Sequence, residues 1–541
     1  MMNFLVKSFS YFSIFSKDFF IDARSKVFIK YCHAKWKSFK QRNFESEILV
    51  ELYNVDQTIL AFSYLANLLS KKHKSKIVSF SISNWHPLLL FMRFRRIFHI
   101  YKSFNTLNHI QYWDTNFFSE ECDFIFKKIK SKIKKKNDIL NISIDGHLIG
   151  NEIYESFLRE NSLPTVDINS KKFIFFLKKC IMTYLFWRRY FDLHNVKAVI
   201  LSHGIYKYGF VKAIANKKNI PVYLPTIRSL YCLRTKYEWG LPLYKLFPSF
   251  FDSLSNKEKL EGIKWAKKKL HERLSGKLGL DILYASKSAY LNSFSSTPIL
   301  KKTNRPKILI ASHCFFDNPN GHGKNLFPDF YEWISYLGII SEETDYDWYI
   351  KTHPDMLPGN EKIINSLLKK YKKITLIDPK TSHLQLIKEG INYVLTVYGT
   401  IGHEYPLFNK LVVNAGSNNP HSGYKFNLHC KTLAEYKKTL LNLSKIKLDY
   451  QKNQIYEFYY INHKYFGYNK LFLDSFENFV NSYPEKLRNS SVIYSYFLNK
   501  ITKKADSDIC KKITKFINSG FYKYYDCNKA EKFFEDNYEK K

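Results

Sequence analysis

Five short apolar runs between residues 307 and 414 constrain this chain more than any other feature. They read KILIAS (307–312), WYIK (348–351), ITLI (374–377), NYVLT (392–396) and KLVVN (410–414). Helical patterns fall between them, starting at 329 and covering 361–371, 382–389 and 402–408. Strands that are apolar throughout, rather than alternating, are buried on both faces, so this is a βαβαβ series building a parallel sheet covered by helices. The loops are short, as such units require.

A second, fainter series occupies the first 230 residues. Strands are expected at 47–55, 76–81, 138–145, 197–202 and 220–223, with helices at 58–69, from 153 and at 211–216. A basic aromatic stretch, 91–101, interrupts them. Strand signal fades between 226 and 303, where 257–275 reads as a charged helix. From 432 onward the chain is helical in pattern and rich in Tyr and Phe. At 541 residues it exceeds one compact core. The expected fold is α/β, with two Rossmann-like lobes whose parallel sheets face a cleft. The expected divisions are an N-terminal helical segment (1–45), an N-terminal lobe (46–230), a helical bridge (231–303), a C-terminal lobe (304–430) and a helical tail (431–541) packing on the lobes.

Charge narrows the partners less than its size suggests. Lys and Arg number 85 against 48 Asp and Glu, a formal +37. The excess is spread along the chain and accompanies abundant Asn, Ile, Phe and Tyr, which points to compositional bias more than to one binding surface. The lysine run 127–136 reads as a solvated helix face. No nucleic-acid module is recognisable, so nucleic acid is not an expected partner. The eight cysteines form no Cys-x-x-Cys pair, which fits a reducing compartment and no zinc site of ordinary spacing. Residues 1–25 are aromatic and basic but interrupted by Lys7 and Lys17, and 173–186 is broken by Lys178 and Lys179. Neither is a signal peptide or a spanning helix. A cytoplasmic protein is expected. The N-terminal segment either caps a lobe or lies on the inner face of the membrane.

The candidate chemistry sits where strands stop. Lys351-Thr352-His353-Pro354 ends one strand in a cation, an imidazole and a residue that cannot continue the ladder. In a phosphate site His353 would donate to an oxygen and Lys351 would add charge; the plainer reading is an exposed strand end. Gly399-Thr400-Ile401-Gly402-His403-Glu404 is a small-residue loop entering a helix, where free amides can hold phosphate oxygens. Thr400 suits an N-cap or a phosphate donor, and Glu404 either accepts from ribose hydroxyls or caps the helix. His421, in the polar loop 414–424, could contact a sugar. On the N-terminal side, Asp145, Glu152 and His203 end or follow strand candidates and could orient or deprotonate an acceptor hydroxyl. Asp145 is preferred, and His203 is equally a hydrogen-bonded loop histidine. Asp317 is a further candidate facing the cleft. Asp345-Tyr346-Asp347 precedes a strand and is read as structural, and no cluster has metal-ligand spacing.

Ser202-His203-Gly204, Lys351-x-His353-Pro354, Gly399-Thr400-x-Gly402-x-Glu404 and Asn419-Pro420-His421 together resemble bacterial surface-polysaccharide transferases of GT-B type. The likeness covers about residues 140–225 and 305–435. It is similar to the capsule and lipopolysaccharide enzymes related to Kdo transferases. More loosely it resembles bacterial sialyltransferases and CDP-glycerol glycerophosphotransferases. The resemblance implies a GT-B-like fold and a metal-independent glycosyltransferase without a cofactor. The donor, a CMP-linked sugar, would lie in the C-terminal lobe, with His353 and Thr400 holding its phosphate. The acceptor would be a glycan or lipid-linked glycan. A Gly-Thr-x-Gly-x-Glu loop stands where those families carry a Ser-Ser or Ser-Thr pair. A polyol-phosphate transferase using CDP-glycerol is the alternative of the same chemistry, and a non-catalytic binder of anionic polymer or membrane the alternative of another class.

Overall fold

The computed structural model describes residues 18–37, 44–83, 86–112, 119–234, 241–280, 288–291, 293–353, 356–467, 469–483 and 490–538. Residues 1–17 of the expected membrane-surface segment, and Pro354, lie outside them.

The N-terminal lobe is built on strands β1 (Ser46–Glu51), β2 (Ser75–Ile82), β3 (Thr106–Tyr112), β6 (Val196–Ile200), β7 (Val222–Pro225) and β8 (Leu230–Leu233), with β4 (Ser143–Ile144) and β5 (His147–Leu148) forming a separate small hairpin. The main sheet runs β3-β2-β1-β6-β7-β8. Every pair is parallel except β7 with β8. Successive β1 residues face opposite cores: Leu49 packs on one side of the sheet, Ile48 and Val50 on the other. That double burial is why the strand is apolar without alternation.

The second lobe repeats the plan with β9 (Lys307–Ala311), β10 (Asp347–Lys351), β11 (Ile374–Ile377), β12 (Tyr393–Thr396), β13 (Leu411–Asn414) and β14 (Leu428–His429). Its order is β11-β10-β9-β12-β13-β14, parallel throughout. Again Ile308 and Ile310 enter one core and Leu309 the other. With the hairpin set aside, both sheets have the doubly wound order 3-2-1-4-5-6. The connection direction therefore reverses between β1 and β6 in one lobe and between β9 and β12 in the other. Open α/β sheets bind ligands outside the carboxyl ends of the strands at that reversal.

Three expectations need correction. Residues 138–145 are not a strand: Lys136–Leu140 is a short helix, and the hairpin follows. Asp145 and Gly146 both have positive φ, at 53° and 82°, so Asp-Gly is the two-residue turn of that hairpin. Second, β3 has a mostly polar, half-exposed sequence because it is the sheet edge, which removed its apolar signature. Third, β8 lies within 226–303, where the sequence carries little strand signal.

The bridge helix Asn256–Leu274 starts at a capping box between Ser255 and Glu258. The tail returns to the first lobe. Cys232 N–H donates to the Tyr522 carbonyl at 2.8 Å and Tyr524 N–H to that of Leu230 at 2.9 Å, which adds a further chain segment beside β8. Tyr494 stacks on Phe28 at 4.0 Å between centroids and donates to Asp56 at 2.8 Å. Among the described residues no helix is long and apolar enough to cross a membrane.

Candidate functional site

The carboxyl edges of the two sheets meet. From the loop after β6, Tyr206 donates to Asp317 of the loop after β9, at 2.9 Å. Asn320 N–H of the same β9 loop donates to Glu155 at 3.0 Å, on the helix Gly150–Asn161. Tyr154 of that helix donates to Asp329, and Lys136 pairs with Glu332 at 2.5 Å. These ties join the carboxyl-edge segments of the two lobes.

On the N-terminal side Glu51 closes β1 with its carboxyl 3% exposed. It accepts from Ser202 N–H at 2.6 Å and Ser202 Oγ at 3.0 Å, so it links the ends of β1 and β6 across the reversal point. Burial pushes its pKa up to about 7, against the lowering effect of the Ser202 bonds. His203 follows, its ring 5.9 Å from that of Tyr53. The residue is exposed although protein surrounds its side chain. Desolvation lowers its pKa, Arg228 adds to that, and Asp317 opposes it. The balance of these effects favours the uncharged imidazole.

On the C-terminal side His313 stands just beyond β9. Its ring stacks on Phe330 (4.8 Å, 22°) and lies 4.6 Å from Tyr398. Its Nε2 meets Thr396 Oγ1 at 3.1 Å and Val397 N–H at 3.3 Å, so it reaches across the reversal point to the end of β12. His322 packs on Tyr398 at 4.7 Å. Burial lowers His313 to about 3 and His322 to about 4, with His353 and His322 adding to the shift at His313. His353 is exposed near this group. Thr400 occupies the N-cap position of the helical turn Ile401–Glu404, yet its side chain makes no cap bond.

Several of the residues singled out in the sequence lie elsewhere or are already engaged. Asp145 is at the far edge: its carbonyl accepts from Lys217 Nζ at 2.7 Å, and Lys217 ends the helix Tyr208–Lys217 that runs back from the carboxyl edge. The positive-φ turn, not the cleft, placed Asp145 there. Glu152 lies against Gly209, where a Cβ would come within 2.3 Å of its Cγ, and faces Lys212 at 3.5 Å. Lys351 is 3% exposed and gives its Nζ to the Pro379 carbonyl at 2.9 Å. Glu404 is buried and accepts from Arg273 Nε at 3.1 Å and Tyr290 Oη at 2.9 Å, so it fastens the bridge helix to the C-terminal lobe instead of awaiting a ribose. His421 is buried with Nε2 3.1 Å from His403 Nδ1. Gly402 makes room for that imidazole, since a Cβ there would sit 2.7 Å from the His421 ring. Gly399 N–H already donates to Thr396 Oγ1 at 3.2 Å. His203, His353, Gly399 and Thr400 stand beyond strand ends and are at least partly exposed.

Glu51, His313 and Thr396 are the strand-end residues at the reversal points that motif reading overlooked. The available signal was positional: each is the last residue of a strand flanking a reversal point, or the second beyond it. Among the described residues no group of three His, Cys, Asp or Glu side chains is arranged to hold a metal ion.

No family model matches the chain, and no curated protein matches its sequence. Solved structures similar to it include UDP-GlcNAc 2-epimerase from Neisseria meningitidis bound to UDP-GlcNAc, at 13% identity and a TM-score of 0.21, covering 84% of this chain and 100% of that one. A glycosyltransferase from Rickettsia africae has 13% identity and a TM-score of 0.23, covering 85% and 100%. The wall teichoic acid polymerase TagF has 10% identity and a TM-score of 0.18, covering 91% and 97%. Values this low carry nothing about activity to this chain. Its architecture stands on its own strand orders: two doubly wound lobes with facing carboxyl edges, a GT-B-like arrangement.

Proposed function

We propose that this chain is a glycosyltransferase that takes a sugar from a nucleotide-activated donor held by the C-terminal lobe and passes it to an acceptor held by the N-terminal lobe. The observation that carries this reading is the apposition of two topological reversal points, joined by Tyr206 and Asp317. A doubly wound sheet presents a nucleotide-sized crevice at its reversal point, and two such crevices face to face suit a two-substrate transfer.

In this reading the acceptor hydroxyl oxygen attacks the anomeric carbon, and the bond from that carbon to the donor phosphate oxygen breaks. The nucleotide leaves with the bonding electrons. The hydroxyl proton passes to His203, which is neutral and accessible. Glu51, through Ser202, holds the loop that carries it. His353 and Thr400 face the leaving phosphate. The finer reading is a CMP-linked, Kdo-like donor and a surface polysaccharide as product. A lipid-linked acceptor would bring the enzyme to the inner membrane face.

A thermal-shift screen with CMP, CDP, UDP and CMP- and CDP-linked donors tests the proposal, because a bound donor raises stability by mass action. Stabilisation by a cytidine nucleotide, lost in His353→Ala, is the expected result. Stabilisation by CDP-glycerol alone would redirect the reading to polyol-phosphate transfer. No response to any nucleotide would sink it.

A further inference from the structure

We propose that His313 is a fixed-tautomer hydrogen-bond donor for a phosphoryl oxygen of the nucleotide, an inference that rests on the transferase reading above. Two donors converge on its Nε2. Val397 N–H points at it from 3.3 Å, and a backbone amide can only donate. Thr396 Oγ1 lies 3.1 Å away. That hydroxyl accepts the Gly399 amide at 3.2 Å and keeps its own proton to give, which the Val397 amide at the same Nε2 requires it to do. Nε2 is therefore the acceptor, and the ring proton sits on Nδ1.

Packing fixes the plane of the ring, and the two bonds at Nε2 fix which edge faces β12. Phe330 stacks at 4.8 Å and Tyr398 flanks it at 4.6 Å. Nδ1 makes no hydrogen bond with a described residue, and His313 as a residue is partly exposed. Gly399 leaves space beside this edge of the ring, since a Cβ there would lie 3.7 Å from His313 Cε1. The Thr400 hydroxyl, unused as a cap, stands on the same loop. A neutral imidazole held this way offers one directed N–H and no charge to compete for, which suits a phosphoryl oxygen.

The pattern orders the residues by task. Thr396 sets the tautomer, Gly399 sets Thr396, and His313 presents the proton. Thr396 is then a positioning residue.

The test compares three substitutions in the full chain. Asn carries its amide nitrogen at about the place of Nδ1, and Gln at about that of Nε2. By calorimetry with CMP, CDP and UDP, His313→Asn is expected to keep affinity within about three-fold. His313→Gln and His313→Ala are expected to lose about ten- to a hundred-fold, as for a hydrogen bond to a charged group. Nitrogen-15 spectra of histidine-labelled protein supply a second readout that needs no ligand: the His313 signals, assigned through the variants, should show Nδ1 protonated. Equal binding by wild type and His313→Gln, with melting temperatures matched, overturns this inference and leaves the transferase reading intact. So does an Nε2-protonated ring. A wild-type protein that binds none of the three nucleotides overturns both.

Discussion

Tyr206 donates to Asp317 across 2.9 Å, and with that single bond the loop beyond β6 meets the loop beyond β9 at the mouth of the cleft. The other ties, Glu155 with Asn320, Tyr154 with Asp329 and Lys136 with Glu332, lie along the helix Gly150–Asn161 and its approach. One hydrogen bond is worth about 1 kcal/mol, or about five-fold in a closed-to-open ratio. Tyr206→Phe combined with Glu332→Gln should therefore open the lobes without unfolding either. Small-angle scattering should record a larger radius of gyration at an unchanged melting temperature. An unchanged radius would mean that the lobes are held by packing and not by these bonds.

The lobes were readable because their strands are buried on both faces, and β9 through β13 sit within a few residues of where apolar runs place them. The candidate site was readable only as a set of edges. Lys351, Glu404 and His421 end or follow strands as a ligand residue would, but sequence cannot tell a side chain aimed at the cleft from one turned into the lobe. Pro379, Arg273 and His403, their partners, come from other segments. Asp145 departs from expectation for a local reason: Asp-Gly is a hairpin turn, and a turn of positive φ does not end a strand of the main sheet. Glu51 and His313 became visible only when strand order fixed the reversal points.

Glu155 should make stability fall as pH rises. Burial pushes its pKa up to about 8, and Glu152 reinforces the shift while the Asn320 bond and Lys212 oppose it. Below the usual carboxyl pKa, both folded and unfolded chains hold the proton and the contribution is intact. Between about 4.5 and 8 only the folded chain holds it, so unfolding releases a proton and stability declines until both are ionised. Glu51, shifted to about 7, acts with the same sign. The expected decline over that window is on the order of a few kcal/mol. Melting temperatures of Glu155→Gln should show a shallower slope, and a slope equal to wild type would assign the effect to other groups.

Lys351 makes the opposite prediction. Burial lowers its pKa to about 8, with Asp378 opposing. Its contribution is present above the usual lysine value and lost as pH falls through about 8, so stability should rise from about 8 towards 10.5. Lys351→Met gives up the bond to Pro379 but no longer buries an ammonium, and should stay within about 1 kcal/mol of wild type at pH 7. Because the amine is turned into the lobe, nucleotide affinity should be retained. A large affinity loss with stability intact would restore Lys351 to the phosphate site.

Arg273 and Glu404 fasten the bridge helix to the short helical turn beyond Thr400, with both side chains nearly sealed from water. Removing one partner of such a pair leaves the other as an uncompensated buried charge, at about 3–5 kcal/mol. Glu404→Gln and Arg273→Met should each show that cost in denaturant unfolding. Tyr290 also donates to Glu404, so the carboxylate keeps one bond when the arginine is lost, and Arg273→Met should be the milder change. The double variant should be more stable than the sum of the two predicts, because neither orphan charge remains. Strict additivity would show that the two residues act independently. The turn that carries Thr400 to the cleft would then owe nothing to the bridge helix.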